Sequence, residues 1–240
     1  MTTGWPCLSA GRTDQGKVRS RNEDAFLDHP TQGIWVVADG MGGHRNGDIA
    51  SQFIVRSIAR LARHLSLEDR VHALRQCLLD IHCKLGIKAA THERFSVIGS
   101  TVVALLIEGR RAACMWAGDS RCYLWRNQQL YQLSRDHTLL QRLLDEEHMS
   151  PEQAAQHPQA HVLTRAVGGR NDLDLDVIEL NIQENDVFLL SSDGLHQALD
   201  HSVLGSALAM KSPQTALRLL FDTALCGAAA DNLTAVVIHT

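Results

Sequence analysis

The sequence has six cysteines (Cys7, Cys77, Cys83, Cys114, Cys122 and Cys226) but no Cys-x-x-Cys pair and no Cys-x5-Arg motif. The first absence argues against a thiolate metal site or a dithiol redox centre, and the second against a thiolate nucleophile of that type. The cysteines read as small core hydrophobes. Thirteen histidines show no recognisable ligand spacing, so histidine is set aside as a metal ligand. No apolar run approaches the roughly 20 residues that span a bilayer, and the longest, such as Val102 to Ile107, are strand-sized. The 23 Lys and Arg residues are spread through a chain of net charge -4, which excludes a basic face for nucleic acid or anionic lipid. Met1 to Pro6 shows neither the charged nor the apolar region of a secretory signal, so a cytoplasmic location is expected. Repeats, low-complexity tracts and linkers are also missing.

What remains is a chain of 240 residues, 45% apolar, able to fill one sizeable core, and one domain over 1–240 is expected. Ile34 to Ala38 reads as a buried strand that stops at Asp39. Apolar residues from Ile49 to Leu65, and again from Val71 to Leu85, recur at helical spacing and predict two amphipathic helices. Thr101 to Ile107, Ala112 to Ala117, Cys122 to Trp125 and Leu130 to Leu133 suit an antiparallel meander that would form a second sheet. Ser150-Pro151 and Ser212-Pro213 are helix starts. Val177 to Leu180, Val187 to Leu190 and Leu233 to Ile238 read as further strands. Helices and strands in blocks, without β-α alternation, predict an α+β fold of antiparallel sheets with helices on their outer faces.

Five acidic clusters stand beside these apolar runs: Asn22-Glu23-Asp24, Asp39-Gly40-Met41-Gly42-Gly43, Gly118-Asp119-Ser120-Arg121, Ser192-Asp193-Gly194 and Asp231-Asn232. Carboxylates at strand ends converge readily on a hard cation, and oxygen ligands suit Mg²⁺ or Mn²⁺. Asp39 is the strongest single candidate, because the glycines after it let backbone carbonyls approach a cation. By itself an Asp-Gly pair is more simply a turn; three strand-end aspartates are harder to dismiss. In an extended segment Glu23 and Asp24 face opposite ways, so one would be a direct ligand and the other would act through water.

The ordered motifs Arg19-Ser20-Arg21-Asn22-Glu23-Asp24-Ala25, Val37-Ala38-Asp39-Gly40-Met41-Gly42-Gly43-His44, Gly99-Ser100-Thr101, Gly118-Asp119-Ser120-Arg121, Asp136-His137, Leu163-Thr164-Arg165-Ala166-Val167-Gly168, Ser192-Asp193-Gly194-Leu195 and Asp231-Asn232-Leu233-Thr234 span nearly the whole chain. Through them the sequence resembles the metal-dependent protein phosphatases of type 2C, in particular their compact bacterial branch. The resemblance implies a four-layer α-β-β-α sandwich with two Mn²⁺ or Mg²⁺ ions in a cleft at one end. It implies hydrolysis of phosphoserine and phosphothreonine on proteins by a metal-activated water, as antagonist of a bacterial Ser/Thr kinase, in a monomer. Carried over position by position, Asp39 would bridge the ions, Asp193 and Asp231 would complete the first, and Glu23 with the Gly40 carbonyl would hold the second. Asp24 would order water from behind, and Asp119 would share a third, weaker ion with Asp193. Arg19 would grip the substrate phosphate with its planar fork, Arg21 being the nearby competitor.

Two positions depart from the pattern. Met41 stands where many relatives place a histidine proposed as general acid, with His44 nearby as a candidate donor or a structural residue. Ser100 replaces a more usual threonine. The polar stretch at 139–161 corresponds to the variable flap of the family, or to a plain surface helix. Two other readings stay open from sequence: a catalytically silent phosphoprotein-binding regulator, which loss of Asp39, Asp193 or Asp231 would have favoured, and a two-metal hydrolase of small phosphoesters.

Overall fold

The computed structural model describes residues 7–42, 47–61, 66–91 and 98–240, so Gly43, His44 and Leu65 lie outside the described residues. Strands β1 (Leu8–Asp14), β2 (Asp24–His29) and β3 (Ile34–Gly42) are followed by helices α1 (Gly47–Ile58) and α2 (Leu67–Thr91). Then come β4 (Ile98–Ser100), β5 (Val102–Glu108), β6 (Arg111–Ala117), β7 (Arg121–Arg126) and β8 (Gln129–Gln132). Short helices α3 (Leu139–Asp145) and α4 (Pro151–Ala155) precede β9 (Asp176–Asn181) and β10 (Val187–Ser191). The chain closes with α5 (Asp193–Gln197), α6 (His201–Leu208), α7 (Pro213–Cys226) and β11 (Leu233–His239).

Two antiparallel sheets form, one in the order β1-β11-β10-β7-β8 and the other β2-β3-β5-β6-β9, with β4 pairing to β3. Their inner faces meet through Trp35, Val103, Leu105, Cys114, Phe188 and Val236. Helices α1 and α2 cover the outer face of the second sheet through Ile54, Ile58, Leu74, Leu78 and Ile81. Helices α6 and α7 cover the first through Leu204, Leu208, Leu217, Leu220 and Phe221. The architecture is therefore the expected four layers, helix pair, sheet, sheet, helix pair. Among the described residues no helix is long and apolar enough to cross a membrane.

One sequence expectation is overturned: the segment from 101 to 133 is not one second sheet. β5 and β6 belong to the sheet that contains β3, whereas β7 and β8 belong to the other. The turn Gly118-Asp119-Ser120 carries the chain across the sandwich. Helix pattern also ends earlier than the spacing suggests, since α1 stops at Ile58. The two serine-proline starts are seen as caps: Ser150 forms a reciprocal capping box with Gln153, and the Ser212 Oγ accepts from the Thr215 N–H.

Candidate metal and phosphate site

The acidic motifs meet at one end of the sandwich because each sits where a strand begins or ends there. Asp24 opens β2 and is the direct cross-strand partner of Asp39 in β3, which places both side chains on the same face of the sheet. Asp193 opens α5 two positions after β10 ends, Asp231 stands two positions before β11 begins, and Asp119 sits in the crossing turn. A cleft of about 1000 Å³ opens at this end. Arg19, Glu23, Asp39, the Gly40 backbone, Asp119, Asp193 and Asp231 all line it, joined by His161 at the end of the 139–161 segment and by Val162 and Leu163 just after it. Asp24 instead turns inward and is 7% exposed.

Backbone fit is tight beneath the cleft. A side chain on Gly40 would meet the Gly47 carbonyl at 2.1 Å, and the Gly40 N–H donates to the Glu23 carbonyl, so only glycine lets these three segments close together. Gly118 has φ +111°, a conformation disfavoured for any other residue.

Hydroxyls and one amide hold the carboxylates in place. The Asp24 Oδ2 accepts from Ser192 Oγ at 2.8 Å and from Thr234 Oγ1 at 2.6 Å. The Asp39 N–H donates to Thr101 Oγ1, which is 2.7 Å from Ser120 Oγ, linking β3 to the Asp119 turn. Asn232 accepts from the Glu23 N–H and donates to the carbonyls of Gln15 and Arg21, tying the loop that bears Arg19 and Glu23 to Asp231. These four supports, Thr101, Ser192, Asn232 and Thr234, stand inside the sequence motifs, but their supporting role is visible only in the structure. For Ser192, Asn232 and Thr234 the signal is position, within three residues of an assigned carboxylate; Thr101 is 18 positions from the nearest, Asp119, and carries no such signal.

Burial and crowding strain the acids. Desolvation first, then the charges of Asp24, Asp193 and Asp119, push the Asp39 carboxyl well above its usual range. Asp24 rises to about 6, chiefly through burial, and Asp119 to about 7 through burial and the charges of Asp193 and Asp136. Asp193 rises through burial and the charge of Asp231. Glu23 rises through burial and the charge of Asp48. The Asp24 Oδ1 is buried without a hydrogen-bond donor. Its acidic neighbour Asp39 can bond to Asp24 only if one of the two carries a proton. Divalent cations in the cleft relieve the same repulsion, so this donor set fits them.

Among the described residues no three acidic, histidine or cysteine side chains are gathered closely enough to hold one ion by themselves. Asp231 Oδ2 is engaged by Arg19 at 2.5 Å. Mg²⁺ and Mn²⁺ suit such an open arrangement, because hard cations of this size keep several waters beside one or two carboxylates and a backbone carbonyl.

The fold and the acidic cleft, whose donors suit divalent cations, point to a class, the metal-dependent hydrolases. The protein phosphatase 2C family model matches residues 15–224. The serine/threonine phosphatase stp of Listeria monocytogenes is 32% identical over 236 residues, covering 95% of this chain and 94% of that protein. Among solved structures, PppA of Pseudomonas aeruginosa, described as a key regulatory component of T6SS, is 40% identical with a TM-score of 0.90, covering 99% of each chain. The catalytic domain of serine/threonine phosphatase PstP in complex with two manganese ions is 31% identical with a TM-score of 0.82, covering 97% of each chain. The chain belongs to the protein phosphatase 2C family, and is a metal-dependent serine/threonine phosphoprotein phosphatase.

Proposed function

We propose that Asp39, Glu23, the Gly40 carbonyl, Asp193 and Asp231 hold two Mn²⁺ or Mg²⁺ ions, that Asp119 and Asp193 share a third, and that Arg19 binds the phosphate of a phosphoprotein. The observation that carries this reading is the convergence of carboxylates from five distant segments with Arg19 in one cleft. Ions bound there supply a water of lowered pKa and offset the charge of the phosphate. Arg19 lines the cleft beside Asp231, and its fork can exchange that carboxylate for two phosphate oxygens. Asp24, turned inward and fixed through Oδ2 by Ser192 and Thr234, would act from behind the ligands to order metal-bound water. Met41, beside the Gly40 backbone, offers no titratable proton.

The opening of about 1000 Å³ is large for a phosphate alone and admits a phosphorylated side chain with flanking polypeptide. The relatives named serine/threonine phosphatases support a protein substrate over a small phosphoester, and the intact acidic set supports turnover over silent binding. The enzyme then acts as the cytoplasmic, monomeric antagonist of a bacterial Ser/Thr kinase, as one domain with 139–161 as a flap against the cleft. The 40% identity to PppA over 99% of both chains favours a finer assignment, a phosphatase regulating a type VI secretion system. Phosphate release from a phosphothreonine peptide, compared with a small phosphoester, in Mn²⁺ and in EDTA, tests the reading. Mn²⁺-dependent release favouring the peptide is expected; no release would support the silent regulator, and preference for the small ester the second alternative.

A further inference from the structure

His137 lies behind the cleft, is not among its lining residues, and is 7% exposed. Its Nδ1 accepts from the Gly118 N–H at 3.2 Å, and the His137 backbone N–H donates to the Gly118 carbonyl at 2.9 Å. A backbone amide can only donate, so Nδ1 carries no proton and Nε2 must carry it. Nε2 then donates to Asp176 Oδ2 at 3.2 Å; Arg165 Nη1 also lies 3.3 Å from Nε2, and with Nε2 protonated it gives its hydrogen to its shorter partner, Oδ1 of the same carboxylate, at 2.9 Å. The ring is further fixed by stacking on Trp116, with centroids 6.1 Å apart and planes 16° from parallel. The residue before it, Asp136, accepts both prongs of the Arg121 fork, at 2.8 and 2.6 Å. The Asp136-His137 pair therefore grips both ends of the turn Gly118 to Arg121, and the only acidic side chain inside that turn, Asp119, points into the cleft.

From this geometry we infer that His137 is a positioning residue: in its neutral, Nε2-protonated form it holds the Gly118 amide through Nδ1 and so sets where Asp119 presents its carboxylate. The inference rests on the proposed role of Asp119 toward a divalent ion. Outer partners of this kind typically change metal affinity or activity about 10- to 100-fold when lost. His137 touches neither substrate nor ion, so its effect is transmitted entirely through the turn.

Two conservative variants separate this role from simple packing. In His137→Asn the amide oxygen occupies the place of Nδ1 and can still accept from Gly118. In His137→Gln the polar atoms reach the place of Nε2, keeping a donor to Asp176 but losing the Gly118 acceptor. The Gly118 amide resonance is assigned and its hydrogen exchange measured in each folded variant, and weak Mn²⁺ binding is followed by titration calorimetry. Exchange at Gly118 is expected to accelerate, and the weak Mn²⁺ constant to rise about tenfold, in His137→Gln, with both within about twofold of the parent in His137→Asn. Equal behaviour of the two variants, or a protected Gly118 amide in His137→Gln, would overturn the inference. Exchange at Gly118 needs no turnover, so loss of the phosphatase reading alone would leave that arm intact. Faster exchange in His137→Gln with unchanged Mn²⁺ binding would refute the link to Asp119 by itself.

Discussion

Arg19 and Asp231, separated by 212 positions, form a salt bridge at 2.5 Å across the mouth of the cleft. The pair is well exposed, with side chains 56% and 34% accessible, so it adds little to stability. Its consequence is placement: an exposed arginine is held over the site by one of the carboxylates proposed to bind metal.

Arg19→Ala is expected to raise KM for a phosphopeptide about 10- to 100-fold, the effect of losing about 1.5–3 kcal/mol of hydrogen bonding to a charged group. Melting temperature should barely move. Arg19→Lys should recover only part of the loss, because an ammonium cannot span two phosphate oxygens. Steady-state kinetics on the three proteins checks this, and an unchanged KM in Arg19→Ala would remove the assignment.

Raised carboxylate pKa values make a statement about stability. Asp24 moves from 3.8 to about 6 and Asp119 to about 7, so the folded chain binds protons that the unfolded chain has already released. The stability these groups contribute is complete below about pH 4 and is lost as pH rises through 6 and 7. Mn²⁺ must displace those protons in acid and finds the carboxylates charged in base. The rise in melting temperature caused by Mn²⁺ should therefore be larger at pH 8 than at pH 5, and binding at pH 6 should release protons, measurable by calorimetry in buffers of different ionisation enthalpy.

Far from the cleft, Asp186 is 1% exposed and accepts both Nε and Nη2 of Arg126 as well as the Gln183 N–H. Arg126→Ala strands a buried carboxylate and should cost about 3–5 kcal/mol of folding stability. Denaturant unfolding measures that loss. Below the melting transition kcat should stay near that of the parent, because this pair joins the opposite end of the sandwich.

The layers and the acidic cluster are legible in sequence for a simple reason: Ile34 to Ala38 and Val187 to Leu190 are unbroken apolar runs, Leu233 to Ile238 is broken only by Thr234, and a motif aspartate lies within three residues of each. Other elements carried no such mark. β1 has the sequence Leu-Ser-Ala-Gly-Arg-Thr-Asp, without clear alternation, and is recruited by pairing along the whole of β11. The membership of β5 through β8 was hidden because β5 and β6 are buried on both faces, one against helices and one against the other sheet. Their patterns then lack the polar face that would say which way each strand looks. Helices α5 and α6 are 5 and 8 residues long, too short for periodicity to declare them. Asn232 shows no role in sequence, and His137 reads only as a hydrogen-bonded loop residue, since their partners are backbone groups 100 or more positions away in the first case and 19 in the second.

The central claim is that Glu23, Asp39, Asp193 and Asp231, with the Gly40 carbonyl, surround a pair of divalent ions. Anomalous scattering from crystals grown with Mn²⁺ tests it most directly. Two manganese peaks in the cleft, with Asp39 within coordination distance of both, are the expected result. Manganese absent from the cleft in diffracting crystals of active enzyme, or bound elsewhere with Asp39 uncoordinated, would contradict the account.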